Sequence, residues 1–549
     1  MRATGLRASV ACLLVVSVGV LVVYPLVRMA RTVWLEGGSD VLGRPGLGEA
    51  VRHSIVLALA VTAIAVPIGT ALALALRRPG LPARRFWQLA VLLPVLVPDF
   101  VLGYSWLRSY GRGGFTDDLL GVAWTGVQGP VGVVVVVAVN AVPIAYLVTA
   151  VGLAARAEPA AERAARMSGA RPWTVLRTIT LPLLRPAIGA AAVLTFVLAM
   201  GSFAIPQVMG SPAGFTTVTT RIYSDLTRSS APALFVEAVA LSLLLVVLTV
   251  VVVVPADSVL ASRLRSTRVA VADPAGGAAV RRGPRARVTA AVIGGYLILT
   301  VGVPLLALVA TALTRAAGLA PTPSNWTLDN FSVALDTRTL EALGRSVALA
   351  AIAATVLLVL GGSVAALERR PYGRALTGLV TLTLVLPGST LAVGLLIAYG
   401  RWIGGTLALI VLAYVAKLWA FAHRPVSGAL DRLPPDELRA ARVSGASPLV
   451  SLRTVVLRPL APALLAAWTV CFLTALHEVT MSSLLYGPGS ETLAVVVLNS
   501  QELGRVGVTS ALCVALTLVL VVPAAGFWLA ARWLRRAIRA PGKELDRVG

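Results

Sequence analysis

The chain is short of charge. Only 13% of its 549 residues are Asp, Glu, Lys or Arg, about half the share a soluble domain carries. Acids are the scarcer sign, 24 against 48 Lys and Arg, and Lys417 and Lys543 are the only lysines. With 57% hydrophobic residues and a mean hydropathy of +0.86, this deficit excludes a soluble globule. Cysteine is nearly missing too. Cys12, Cys471 and Cys513 are too few for a disulfide framework and too scattered for a metal site, so they read as small apolar packing residues. His53, His423 and His477 are equally dispersed, and no metal site is expected. No G-x-x-x-x-G-K-[ST] occurs, since Gly542-Lys543-Glu544 lacks the rest of that loop. The chain therefore has no such device for cradling ATP.

What is there is apolar sequence in long runs, each long enough for a helix to cross a bilayer. Twelve spans are expected, near 9–30, 53–76, 87–108, 130–152, 187–208, 232–255, 288–313, 345–367, 375–399, 402–423, 461–485 and 507–531. Arg2 and Arg7 before the first run suggest a signal peptide. The apolar stretch is long and no A-x-A site follows, so a retained helix is expected.

The net charge of +24 would suggest nucleic acid in a soluble chain. Its distribution gives a different account. With the N-terminus inside, the inner segments hold 34 of the Lys and Arg, and the outer ones, taken with Arg28, Arg108 and Arg345 at the outer span ends, hold 13. That bias orients all twelve spans consistently, with both termini cytoplasmic, and makes nucleic-acid binding unnecessary. The lipid bilayer is the partner the composition implies.

The chain is also written twice. Residues 163–186 begin Arg163-Ala164-Ala165-Arg166-Met167-Ser168-Gly169-Ala170, and residues 439–462 begin Arg439-Ala440-Ala441-Arg442-Val443-Ser444-Gly445-Ala446, an offset of 276. Ser54 to Arg77-Arg78-Pro79 likewise resembles Ser346 to Arg369-Arg370-Pro371. Six spans per half make the repeats parallel, so both motif copies lie on one side. The division expected is a first half at 1–255 (loop 158–186), a basic linker at 256–287 and a second half at 288–549 (loop 434–462).

Each motif copy reads as helix, turn, helix. Pro159 and Pro435 open, Gly169 and Gly445 can take positive φ after a helix, and Pro172 and Pro448 suit the first turn of the next helix. The second helix is expected to run to Thr180, before Pro182. The paired alanines leave a shallow surface on which another backbone can lie close.

These residues resemble the EAA loop of membrane subunits of binding-protein-dependent ABC importers. Two copies on one twelve-span chain are similar to the fused permeases of ferric-iron importers. Two departures stand out: arginine replaces the consensus glutamate at Arg163 and Arg439, and Leu181-Pro182 becomes Leu457-Arg458-Pro459. The resemblance implies an all-α integral membrane protein of the bacterial cytoplasmic membrane, ABC importer type I-like, with two parallel-repeat permease halves. It implies no enzyme activity and no cofactor on this chain, ATP being used by a separate cytoplasmic ATPase, expected as a homodimer. That ATPase would dock on Arg163, Ala164, Ala165, Gly169, Leu181, Pro182, Arg439, Ala440, Ala441, Gly445 and Leu457. An extracytoplasmic substrate-binding protein would deliver the solute.

Ionisable residues inside a membrane are functional candidates. Asp99, between Pro94, Pro98 and Phe100, is expected mid-span at a kink, and His477 and Glu478 in the outer part of the eleventh span. These three are the candidate pathway residues. Lys417 is expected to snorkel. Gly201-Ser202-Phe203-Ala204-Ile205-Pro206 and His477-Glu478-Val479-Thr480 resemble ferric-iron permeases, so ferric iron is the expected solute, with thiamine, polyamine, phosphonate or sulfate as alternatives. A secondary transporter driven by an ion gradient would also suit parallel repeats, but it leaves the twin loops without a task.

Overall fold

The structure is a computed structural model that describes residues 2–36, 43–77, 80–156, 158–228, 231–264, 284–368 and 373–539. Among them, nine helices are long and apolar enough to cross a bilayer, and two bent pairs bring the number to eleven. A helix is the form such runs take in lipid, because every backbone N–H and C=O is then satisfied within the segment.

The twelfth expected span, 87–108, is not one helix. It is broken into Arg84–Ala90, Leu93–Leu96 and Asp99–Tyr110. Val97 is extended at ψ 124° and Pro98 at ψ 140°, because proline pushes its predecessor out of the helical region and offers no N–H. The second half breaks at the matching place: Ala375–Val385 and Gly388–Ile403 meet at 102°, across Pro387. The single span expected at 375–399 is thus two helices.

The spans expected at 187–208 and 461–485 begin earlier and end earlier. Helix Pro172–Met200 runs unbroken from the motif into the membrane, as does Leu452–Leu476. Neither Pro182 nor Pro459 stops it. π turns at Leu176–Thr180 and Leu452–Leu457 widen the ladder just where each ring would clash with the carbonyl four residues back. Helix Pro232–Leu264 and the one starting at Pro284 extend into the expected linker. Its middle, 265–283, lies outside the described residues, as does the tail from 540.

The duplication is three-dimensional. A Cβ on Gly69 would stand 2.7 Å from the Cβ of Ala145, and one on Gly361 would stand 2.8 Å from that of Ala422. Both glycines exist because two helices cross there at backbone distance. Each half also lends its first helix to the other. Tyr24–Leu35 packs on Gly388–Ile403, and Val303–Leu313 packs on Asp99–Tyr110. Tyr399 Oη donates to Val20 O at 2.7 Å, and Tyr110 Oη donates to Leu299 O at 2.5 Å. Both carbonyls lie in π turns, Gly19–Val23 and Ile298–Gly302, where the widened ladder leaves an oxygen free to accept a side-chain donor.

Candidate functional sites: paired loops and a mid-membrane polar cluster

Each loop is a short helix ended by a left-handed glycine. Pro159–Met167 closes with Gly169 at φ +83°, Gly169 N bonding Arg166 O and Ala170 N bonding Ala165 O, both at 3.0 Å. This is the six-to-one, five-to-two closure that glycine permits. In the second copy Pro435–Val443 closes with Gly445 at φ +78°, and Ala446 N bonds Ala441 O at 3.0 Å. Ser447 Oγ accepts Val450 N at 3.3 Å to start the next helix. The first loop is braced on its own half by Glu162, which pairs with Arg77 at 3.2 Å and accepts Thr180 Oγ1 at 3.0 Å.

Of the motif residues read from sequence, Arg163, Ala164, Gly169, Arg439, Ala440 and Gly445 are exposed, while Ala165 and Ala441 are half-buried. Arg163 Nε donates back to Pro159 O at 3.2 Å, and Arg439 pairs with Asp436 at 3.4 Å. Leu181 and Pro182 do not belong to the protruding tip. They sit half-buried inside the continuous helix, and Leu457 ends a π turn on its counterpart. Sequence reasoning missed the most exposed apolar residues, Met167 at 88% and Val443 at 89%. They occupy the same position in the two copies, each just before the Ser-Gly turn. An apolar residue repeated at the end of an otherwise polar helix was the signal available.

The second site lies where the two broken helices meet. Asp99 starts helix Asp99–Tyr110, and its Oδ1 accepts Asn140 Nδ2 at 2.7 Å. His477 of the second half is its electrostatic neighbour. The helix expected to carry His477 and Glu478 stops at Leu476, so His477 caps it and Glu478 stands in the break. His477 Nδ1 is 2.6 Å from Leu473 O, and Glu478 Oε2 accepts the N–H groups of Met481 at 2.7 Å and Ser482 at 3.2 Å, starting the helix Thr480–Leu485. Ser482 Oγ in turn meets Tyr414 Oη at 2.7 Å. Asp99, Asn140, Gly201, Ser202, His477 and Glu478 are all half-buried amid a packed core. Asp99 and His477, from different halves, thus stand within electrostatic range of each other. Among the described residues no three His, Cys, Asp or Glu side chains converge as a metal centre.

Lys417 does not snorkel. Its ammonium donates to Leu384 O, at 3.1 Å, and to Leu386 O. These are carbonyls that the bend at Pro387 strips of helical partners. Glu237, another acid within a span, is fully buried and paired with Arg44 at 3.0 Å and Arg221 at 2.9 Å.

Comparison with known proteins agrees with this architecture. The family model for the binding-protein-dependent transport system inner membrane component matches the chain twice, at residues 65–262 and 358–540. The Fe(3+)-transport system permease protein FbpB 2 of Haemophilus influenzae is 24% identical over 502 residues, 88% of this chain and 91% of that one. A putative 2-aminoethylphosphonate transport system permease protein of Salmonella choleraesuis is 28% identical over 260 residues, 46% of this chain and 97% of its own. The molybdenum transport system permease protein ModB of Mycobacterium bovis is 36% identical over 237 residues, 43% of this chain and 88% of its own. With two family repeats, all-helical halves and spans throughout, the chain belongs to the binding-protein-dependent transport system inner membrane components, as a fused two-domain permease of an ABC importer.

Proposed function

We propose that this chain forms the whole translocation path of an importer for ferric iron, in which a separate ATPase, a homodimer, docks on both paired loops. The observation that carries the docking is the matched pair of glycine-closed knobs, each tipped by an exposed apolar residue, Met167 or Val443. Two identical ATPase subunits present two identical grooves, and two like knobs on one side suit them. ATP binding in that partner closes its dimer and draws the knobs together. Because helices Pro172–Met200 and Leu452–Leu476 continue unbroken from the loops to Gly201 and His477, displacement at the knobs reaches the mid-membrane cluster through rigid rods. Asp99, His477 and Glu478 line the path there. In this reading the loops and both termini are cytoplasmic, and the halves divide at the basic segment 256–287.

Iron is supported by the Haemophilus relative, which spans both halves. The molybdenum and aminoethylphosphonate relatives are more nearly identical to this chain, but over one half only, and they support an oxyanion as the second reading. Two experiments test the proposal. Gly169→Trp and Gly445→Trp together should abolish co-purification of the ATPase from the same operon, and retained association would count against docking on the loops. Calorimetric titration of the operon's binding protein with ferric iron, molybdate and aminoethylphosphonate should show tight binding for iron alone.

A further inference from the structure

On the face away from the paired loops one carboxylate of the second half takes donors from the first. Glu502 closes helix Leu493–Glu502 of the second half. Its Oε1 accepts Gln207 Nε2 at 3.2 Å and Tyr223 Oη at 3.4 Å, both from the first half, and Arg228 Nη2 stands 3.9 Å from the same oxygen. Gln207 and Tyr223 are each 5% exposed. Gln207 is held on the π turn Pro206–Gly210, where its Oε1 accepts Ser211 Oγ at 3.2 Å. The Tyr223 ring packs 5.1 Å from that of Phe203. The course of the chain fixes the side. The loops precede helices Pro172–Met200 and Leu452–Leu476, whereas Tyr223 and Glu502 follow them.

Three features mark this contact as a working part and not as packing. It joins the segments 201–227 and 477–502, which begin at the residues of the mid-membrane cluster. It occurs once: the duplication places Ser483 and Leu498 opposite Gln207 and Tyr223, and Thr227 opposite Glu502, so it is no relic of the repeated fold. It is also breakable, because the Glu502 side chain is 33% exposed. A carboxylate that reaches water can exchange its protein donors for solvent, which a fully buried one does only at great cost.

We propose that Glu502, with Gln207 and Tyr223, is the polar gate that closes the translocation path on the face opposite the paired loops. Releasing it admits the solute. The inference rests on the permease family and not on where the ATPase docks.

The test uses the full chain in its native membrane, with Cys12, Cys471 and Cys513 replaced by alanine and Ser202, half-buried beside the cluster, replaced by cysteine. A membrane-impermeant maleimide is applied from the face opposite the loops. Glu502→Ala should raise the labelling rate of that cysteine by about tenfold or more, the equivalent of one lost charged hydrogen bond. Glu502→Gln, which keeps a carbonyl acceptor, should stay near the parent rate. Equal rates for the parent and Glu502→Ala, both monodisperse after extraction, would overturn the gate. If Glu502→Ala does not fold, Tyr223→Phe with Gln207→Leu removes the two donors and must give the same acceleration. In the chain with its own three cysteines replaced, Gln207→Cys and Glu502→Cys joined by a bis-methanethiosulfonate spacer, which spans the reach of the two original side chains, should stop uptake and a reductant restore it. Uptake that continues through the cross-link sinks the proposal. ATPase co-purification should stay as in the parent for all of these variants, so failure here is separable from failure of the docking assignment.

Discussion

The Ser54 hydroxyl accepts the backbone N–H of Val218 at 2.8 Å, and Ser346 does the same for Leu493 at 2.8 Å. Each serine ties the end of its half's second helix that lies away from the paired loops to the short helix that follows the fifth, Val218–Thr227 or Leu493–Glu502. Both hydroxyls are buried, so an alanine leaves an unsatisfied N–H. Ser54→Ala and Ser346→Ala should each cost about 1–3 kcal/mol, read as a fall in thermal midpoint in detergent. Ser→Thr, if the methyl fits, should recover most of it.

The helix crossings at Gly69 and Gly361 allow no side chain. Gly69→Val or Gly361→Val would set the Cβ itself less than 3 Å from backbone, 2.6 Å from Tyr146 N or 2.8 Å from His423 N. The expected result is loss of the folded, extractable protein, scored by size exclusion, because backbone on both sides has nowhere to move. Gly295, where a Cβ meets nothing within 4 Å, is the control, and its alanine variant should extract normally.

Asp336 supplies a prediction in pH. Its Oδ1 accepts Thr339 N at 2.8 Å at the start of helix Thr337–Leu367, and that bond from Thr339 holds its carboxyl below the ordinary carboxylate range. A lowered folded-state value means the contribution is complete above about pH 4, the unfolded value, and is lost as pH falls below it. Asp336→Ala should therefore cost about 1 kcal/mol at pH 7, measured by thermal unfolding. The difference from the parent should shrink as pH drops toward 3.

Asp99→Asn keeps the shape and removes the charge at the cluster. Transport should fall by about tenfold or more while extraction and ATPase co-purification stay as in the parent. Unchanged transport would remove Asp99 from the path.

Much of this fold was legible in the sequence. Apolar runs located eleven crossing elements, the offset between copies revealed the two halves, and Gly169 and Gly445 announced their turns because few other residues take that backbone conformation. The break at Pro98 was legible because Pro94 and Pro98 bracket it. Its counterpart at Pro387 was not, since one proline near the end of an apolar run looks like a tolerable kink. Lys417 was misread because a lone cation near a helix end ordinarily reaches for water, and the carbonyls it meets are freed only by that unseen bend. Pro182 was misread as a stop because the π turn that accommodates it has no sequence signature. That Asp99 stands within electrostatic range of His477, and that Gln207 meets Glu502, depends on how two halves dock, which local patterns do not encode.

The exchanged first helices set a clock. Tyr399 lies 379 residues beyond the carbonyl of Val20 that it caps, so ribosomes adding roughly 5–20 residues each second need on the order of 20–80 s to supply the donor. Until then the newborn N-terminal helix waits in lipid with its widened turn uncapped, and the first half, though fully inserted, lacks the seat on which that helix finally rests. Maturation of this permease is thus a late event, completed only after helix Gly388–Ile403 of the second half has left the ribosome.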